Sequence, residues 1–232
     1  ILILQRYYNV SDDQIEYQIN DRMSFMRFLN LTIVDDIPDS KTVWNFREQL
    51  IDLKLVDELF QLFLKELELL NLIINEGKII DASFIEVPKQ RNSRAENAEI
   101  KSGNTPESFD KNSNKKSQKD LDARWTKKNN VSYYGYKNHV KVDTKSKLIV
   151  KYEVTDASVH DSQVLENLLD EKDADEDFSG DSAYSGENQR DIISQKEMND
   201  KTCKKGYRNN PLTEQEIATN REKSRIRSRV EH

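Results

Sequence analysis

A single cysteine, Cys203, stands in 232 residues. No disulfide framework can be built from it, and such usage suits a reducing cytoplasm. With no second thiol nearby, Cys203 has no partner for a metal cluster and reads as a packing residue. Long apolar runs are missing as well. None approaches the roughly 20 residues that a membrane-spanning helix needs. The apolar start at residues 1–4 is too short for a signal peptide and has no basic region before it. The chain opens without an initiator methionine, so the expectation is that residues are missing upstream. Apolar residues make up only 35% of the chain against 34% charged, a share that predicts long polar insertions. The formal net charge of −6 gives no overall sign of nucleic-acid binding. Internal repeats are absent. The length allows one large domain, or a small domain beside a medium one.

The distribution of charge says more than its sum. Residues 111–151 carry twelve basic side chains against three acidic ones, and residues 201–232 carry nine against four. The stretch between them, 152–200, is strongly acidic. Two readings stay open: a DNA-facing surface beside a carboxylate-rich metal site, or ordinary solvated loops.

Residues 1–76 read as helical. Trp44, Phe46, Leu50, Leu53 and Val56 recur at three- and four-residue steps, and the pattern continues through Leu59, Phe60, Phe63, Leu64, Leu67, Leu70 and Leu72. Pro38-Asp39-Ser40 marks a helix start and Asn75-Glu76-Gly77 a stop. This region is either a helix-turn-helix-like module or compact helical packing with no DNA role. From residue 78 the pattern changes. Ile79 and Ile80 precede Asp81, while Phe84, Ile85 and Val87 follow, which predicts a buried strand ended by Pro88. Residues 89–130 lack apolar periodicity and predict a flexible, basic insertion, with Trp125 as a candidate anchor. A hairpin follows over residues 131–142 and 148–155, turning at 143–147. Its first strand sets Tyr134, Tyr136, Val140 and Val142 on one face and Lys137, His139 and Lys141 on the other. Ser158 with Asp161 resembles a capping box. Val164, Leu165, Leu168 and Leu169 then form a helical face. A short strand near Phe178, helices over 187–198 and from Thr213 onward, and the Ser185-Gly186 and 209–211 turns complete the order. Such alternation predicts an α/β sheet with helices on its faces.

Three carboxylates are candidates for chemistry. Asp81 interrupts an apolar strand; a carboxylate there sits at a strand end, bridges to a base, or binds a metal. Asp181, in Gly180-Asp181-Ser182-Ala183-Tyr184, follows a short strand, where α/β sheets gather functional groups; a turn-forming or capping role competes. On the last helix Asn220, Ser224, Arg227 and Glu231 follow steps of four, three and four, which places them on one face. That face is either a metal ligand beside a phosphate-binding guanidinium or a solvated basic surface.

Five segments in this order carry a resemblance: Ile80-Asp81-Ala82-Ser83, Tyr133-Tyr134-Gly135-Tyr136-Lys137-Asn138-His139, Thr155-Asp156-Ala157-Ser158-Val159-His160-Asp161-Ser162, Asp181-Ser182-Ala183-Tyr184-Ser185-Gly186, and the stretch from Asn220 to His232. Together they resemble the DDE transposases of bacterial insertion sequences, families four and five, as do Gln5-Arg6-Tyr7-Tyr8-Asn9 and Phe25-Met26-Arg27-Phe28-Leu29. The resemblance implies a ribonuclease-H-like mixed sheet with flanking helices over residues 77–232, preceded by the small helical region 1–76. It implies Asp81, Asp181 and Glu231 as catalytic metal ligands for Mg²⁺, with Mn²⁺ as substitute, cutting and joining double-stranded DNA at element ends. Hard Mg²⁺ prefers carboxylate oxygen, and two ions so held can activate a water and stabilise the leaving oxygen. Lys137, His139, Arg227, Asn220 and Ser224 become the candidates for DNA contacts. His160 and Asp161 are candidates to line the site, with capping as the competing role for Asp161. A homo-oligomer on DNA, in the cytoplasm and off the membrane, is expected.

Ser224 stands where the family's final motif often has Tyr, which suits the fifth family more than the fourth. The lysine of that motif would fall beyond His232, so a truncated or frameshifted copy is expected. The alternatives are an inactive DNA-binding descendant and a ribonuclease-H-like nuclease without a role in transposition.

Overall fold

In the computed structural model, residues 1–228 are described, and they form two compact units, Ile1–Leu70 and Asn71–His232. The first unit is helical, as its periodicity predicts. It comprises α1 (Leu2–Tyr8), α2 (Asp12–Asp21), α3 (Met23–Phe28), α4 (Ser40–Asp52) and α5 (Leu55–Leu69). Its core is Leu4, Ile15, Ile19, Phe25, Met26 and Val43. Asp39 caps α4 at the expected place, its carboxylate accepting from the Thr42 amide at 2.8 Å. Lys54, left-handed at φ 55°, breaks α4 from α5. The apolar stripe of α5 is not core: only Leu64 is buried there, and Leu59, Leu62, Phe63 and Leu69 are exposed. The helix also stops earlier than expected, at Leu69. The chain then passes through left-handed Asn71 and Asn75 before the sheet begins.

A two-pronged ion pair joins α2 to α4. Arg47 donates from both terminal nitrogens to the two oxygens of Asp12, each at 2.8 Å, and Gln5 adds a third donor. The Arg47 hydrogen bonds, then that of Gln5, hold the Asp12 carboxyl down at about 2. Because the folded value is depressed, the pair stabilises the fold above the ordinary carboxylate value of about 3.9, and that contribution disappears as pH falls toward the folded value. An acid titration followed by helical circular dichroism tests this. Wild type is expected to lose a stability increment between about pH 4 and pH 2 that Asp12→Asn lacks throughout. Parallel acid profiles would remove the pair from the account.

The second unit is mixed α/β, as predicted. Its strands are β1 (Lys78–Glu86), β2 (Arg124–Lys128), β3 (Val131–Asp143), β4 (Ile149–Asp156), β5 (Asp177–Ser179) and β6 (Asn199–Asp200). Among the described residues they form one six-stranded sheet in the order β2-β3-β1-β5-β6, with β4 also on β3. The long β3 runs antiparallel to β1 along one edge. Its other edge is shared, β2 taking Val131 to Gly135 and β4 taking Tyr136 onward. β5 is parallel to both β1 and β6. Gly135 must be glycine: φ is 144°, and a Cβ there would lie 2.1 Å from the Ile85 carbonyl oxygen.

Helices α9 (Leu165–Leu168) and α10 (Glu187–Gln195) supply the main core. It is formed by Ile80, Val164, Leu165, Leu168, Leu169, Phe178, Tyr184, Ile193 and Met198. The segment 89–130 differs from its expectation. It contains α6 (Arg94–Lys101), α7 (Glu107–Asp110), α8 (Ser113–Ser117) and strand β2. Local capping explains the helices: Ser93 and Glu96 form a capping box, and Asn112 caps α8. Phe109 is fully buried with the Lys115 and Lys119 ammonium groups over its ring. Trp125 packs on Tyr134, ring centroids 5.0 Å apart, while half exposed.

The alternation in β3 holds, but its meaning inverts. The face with Lys137, His139 and Lys141 is covered, and these three are 8%, 0% and 3% exposed. Lys141 donates to Asp170 and Asp173, each at 2.7 Å, and Lys137 to Asp161 at 2.8 Å. At the start of β1, buried Lys78 lies 3.5 Å from Asp143 and 3.0 Å from Glu176. The basic block and the acidic block of the sequence thus partly neutralise each other inside the fold. Breaking such a pair strands a charge. Lys141→Met should cost about 3–5 kcal/mol in chemical denaturation, because Asp173 stays buried without its partner. A loss below about 1 kcal/mol, the range of an exposed pair, would show that the carboxylates relax to water.

Candidate active site

β5 ends at Ser179, while β1 continues to Glu86. Beyond Ile79, therefore, β1 loses its parallel neighbour. Asp81 sits just past that point, so the acidic residue inside an apolar strand is not buried: its side chain is 37% exposed. The register pairs Ile79 with Ser179. Asp181 comes two residues after Ser179, in extended backbone (φ −75°, ψ 179°) that leads into the next turn. Along β1 the alternation sets Asp81 on the pleat opposite Ile80 and the main core. Asp181 also caps the turn Ser182–Tyr184, accepting from the Ala183 amide at 2.8 Å. Asp81 accepts from the Ala82 amide at 2.9 Å.

The last helix, α11 (Glu214–Arg227), delivers a cation to this point. Thr213 and Glu216 form its capping box, where the sequence placed the start. The Arg227 guanidinium, 16% exposed, reaches Asp81 with Nη2 3.7 Å from Oδ2. Asn220 and Ser224 share its face, as their spacing predicts, but Asn220 turns toward the protein while Ser224 stays exposed. The Asn220 amide clamps the Lys204 backbone, accepting from its N–H and donating to its carbonyl, both at 2.9 Å. Ser224 Oγ lies 3.9 Å from the buried Cys203 sulfur. Glu231 lies outside the described residues. Among those residues no set of three His, Cys, Asp or Glu is close enough to hold a metal ion.

His139 and Lys137 do not stand at the surface. His139 is enclosed, with Nε2 2.9 Å from Thr155 Oγ1. Burial pushes its pKa down, so the ring is neutral at physiological pH, and it offers no exposed atom to a phosphate. Lys137 spends its ammonium on the Val159 carbonyl at 2.6 Å and on Asp161. Asp161 is accordingly not a cap. The Asp156 carboxylate accepts from the Ser158 amide, and His160 caps the turn Asp161–Val164. No role was expected for Tyr184, yet it lies among Asp161, Asp181 and Asp81. Burial first, then those three negative charges, push its phenol pKa up, with Arg227 pulling the other way. The short step from Asp181 to Tyr184 was the available signal.

A mixed six-stranded sheet with flanking helices is the architecture of a ribonuclease-H-like α/β protein. Residues 75–232 match the family model described as Transposase DDE domain, and residues 1–49 match the Transposase domain (DUF772). The chain belongs to the DDE transposases. Members of this family depend on divalent metal, and their substrate is DNA. No solved structure matches the chain. No helix among the described residues is long and apolar enough to cross a membrane.

The Asn220 clamp predicts a local effect. Asn220→Ala should cost about 1–2 kcal/mol, two hydrogen bonds of ordinary strength partly replaced by water, and should speed amide exchange at Lys204. Unchanged exchange there would mean that packing alone holds this segment.

Proposed function

We propose that this chain carries the catalytic site of an insertion-element transposase, which cleaves DNA at element ends and transfers the resulting strands through metal-dependent chemistry. What supports the reading is the Arg227 guanidinium 3.7 Å from Asp81 at the open flank of β1, with Asp81 and Asp181 both acting electrostatically on Tyr184. Carboxylate oxygens suit hard divalent cations, Mg²⁺ first and Mn²⁺ as its substitute. Asp81 and Asp181 would hold the metal, with Glu231 as the third ligand. When bound, such ions supply Lewis-acid activation of the phosphodiester. Arg227 is placed to donate to a phosphate oxygen and to offset the charge of Asp81. Lys137 contributes indirectly, by fixing Asp161. The exposed lysines of the 89–130 segment and of β2 are better placed than Lys137 or His139 to meet the DNA backbone. A homo-oligomer on the DNA belongs to the same reading.

Nicking of element-end DNA in Mg²⁺ is the measurement that decides. Asp81→Asn and Asp181→Asn should each fall to background. DNA binding should persist or tighten, because the amide keeps the shape and removes a negative charge near the phosphates. Full activity in either variant would remove the aspartate pair from the chemistry.

A further inference from the structure

Toward its start, β3 leaves the body of the sheet. β1 pairs with it only as far as Glu86 opposite Gly135, and β4 only from Tyr136 onward. One further bond, from the Val87 amide to the Tyr134 carbonyl at 3.1 Å, ties β1 on. From there to the tip, among the described residues, β3 keeps only β2, in a ladder that runs from Arg124 opposite Gly135 to Lys128 opposite Val131. At about 3.4 Å per residue this two-stranded ribbon is about 17 Å long. Asn129 and Asn130 close it as a two-residue turn, with φ 51° and 63°. Two positive values are the geometry that matches the twist of paired strands.

The root of the ribbon is fastened and its tip is bare. Arg124 donates to the carbonyls of Leu121, Ala123 and Ile100 at 2.6, 3.1 and 3.2 Å. Tyr133 stacks flat on Phe84 of β1, ring centroids 4.1 Å apart and 4° from parallel, and the Lys128 ammonium lies 5.7 Å from the Phe84 ring centre. Lys127, Asn129 and Asn130 are exposed instead, and their side chains make no hydrogen bond or ion pair among the described residues. From Ala123 to Gly135 the sequence holds Arg124, Lys127 and Lys128 and no acidic residue, in a chain of net charge −6. A lysine on an edge strand discourages pairing with another sheet. That role asks for no uncommitted amides at the tip, where glycine would serve the left-handed turn at least as well.

Duplex DNA fits all of these features. Its major groove, about 12 Å wide, admits a two-stranded β-ribbon, and an asparagine amide can pair with both polar atoms of an adenine edge there. The absence of carboxylates along the ribbon lets it approach phosphates without repulsion. We propose that the β2–β3 ribbon enters the major groove of the DNA substrate, with Asn129 and Asn130 reading base edges at the tip and Lys127 against the phosphates. The proposal rests on the DNA-directed reading above and adds to it a sequence-reading element separate from the aspartate site.

The test follows binding of the full chain by fluorescence anisotropy, without divalent metal, to a duplex carrying the element end and to one with the same bases shuffled. Thermal melting checks that each variant is folded. Wild type should prefer the element end. Asn129→Gly with Asn130→Gly keeps the left-handed turn and removes both amides; its preference should shrink about 5- to 100-fold. Lys127→Ala should weaken binding to both duplexes alike and lower the slope of log affinity against log salt by about 0.9. Unchanged preference in the double glycine variant, or a wild type with no preference, would overturn base reading by the ribbon. An unchanged slope in Lys127→Ala would overturn its docking on DNA, and self-association of that variant with the slope unchanged would assign the lysine to guarding the sheet edge. Wild type that binds neither duplex would sink the DNA-directed reading, and the ribbon with it. Because no metal is present, a nicking test that fails while the preference stays intact counts against the catalytic reading alone.

Discussion

The second unit depends on neutralising lysines that its central strands turn inward. Lys78 on β1 and Lys137 and Lys141 on β3 are nearly sealed from water. A buried ammonium is tolerated only where carboxylates meet it closely. Asp143, Glu176, Asp161, Asp170 and Asp173 do so. All but Asp143 come from the region after the hairpin, so the pairing fixes how that region covers the sheet. The turn with Asp161 and the turn with Asp173 are each pinned to β3 by a lysine. Such pairs add little net stability over apolar packing, but they penalise any arrangement that misplaces a charge.

That covering sets up the candidate site. β5 lies between β1 and β6 in the sheet, with Phe178 packed against α9 and α10, and its early end exposes the flank of β1 at Asp81. Asp81 therefore stands at a gap in the sheet and not inside the core. This removes the apparent cost of an acidic residue in the middle of an apolar strand. The guanidinium of Arg227 offsets part of the negative charge there, and α11 is held in place by the Asn220 clamp and by Lys223, which donates to the Thr202 carbonyl at 2.8 Å. Asn220 on this helix thus acts as a structural fastener, and of the three described candidates Arg227 is the one that reaches Asp81.

The helical first unit shows a different balance. Its small core is closed by one directed ion pair between α2 and α4, while α5 leaves most of its apolar side chains exposed. Periodicity revealed that α5 is amphipathic. It carried no information about whether anything covers the apolar stripe, since burial belongs to the partner surface and not to the helix.

Local order was legible in the sequence because it is written locally. Asp39 and Thr213 announce the starts of α4 and α11, the alternation over residues 131–142 announces β3, and Pro88 follows the end of β1. The residues themselves marked Asp81 and Asp181 as candidates, and the family resemblance implied their role as metal ligands. Tertiary structure decided the rest. The direction in which Lys137 and His139 point followed from a covering segment that the period-two pattern cannot see; alternation separates two faces without saying which is dry. The helices within residues 89–130 came from caps and one buried phenylalanine, too few apolar residues for a periodicity reading. The open flank of β1 at Asp81 came from the short parallel register of β1 and β5, a pairing between strands far apart in the chain. Neither strand's sequence specifies its neighbour. Only the folded sheet, with its lysines matched to carboxylates, selects it.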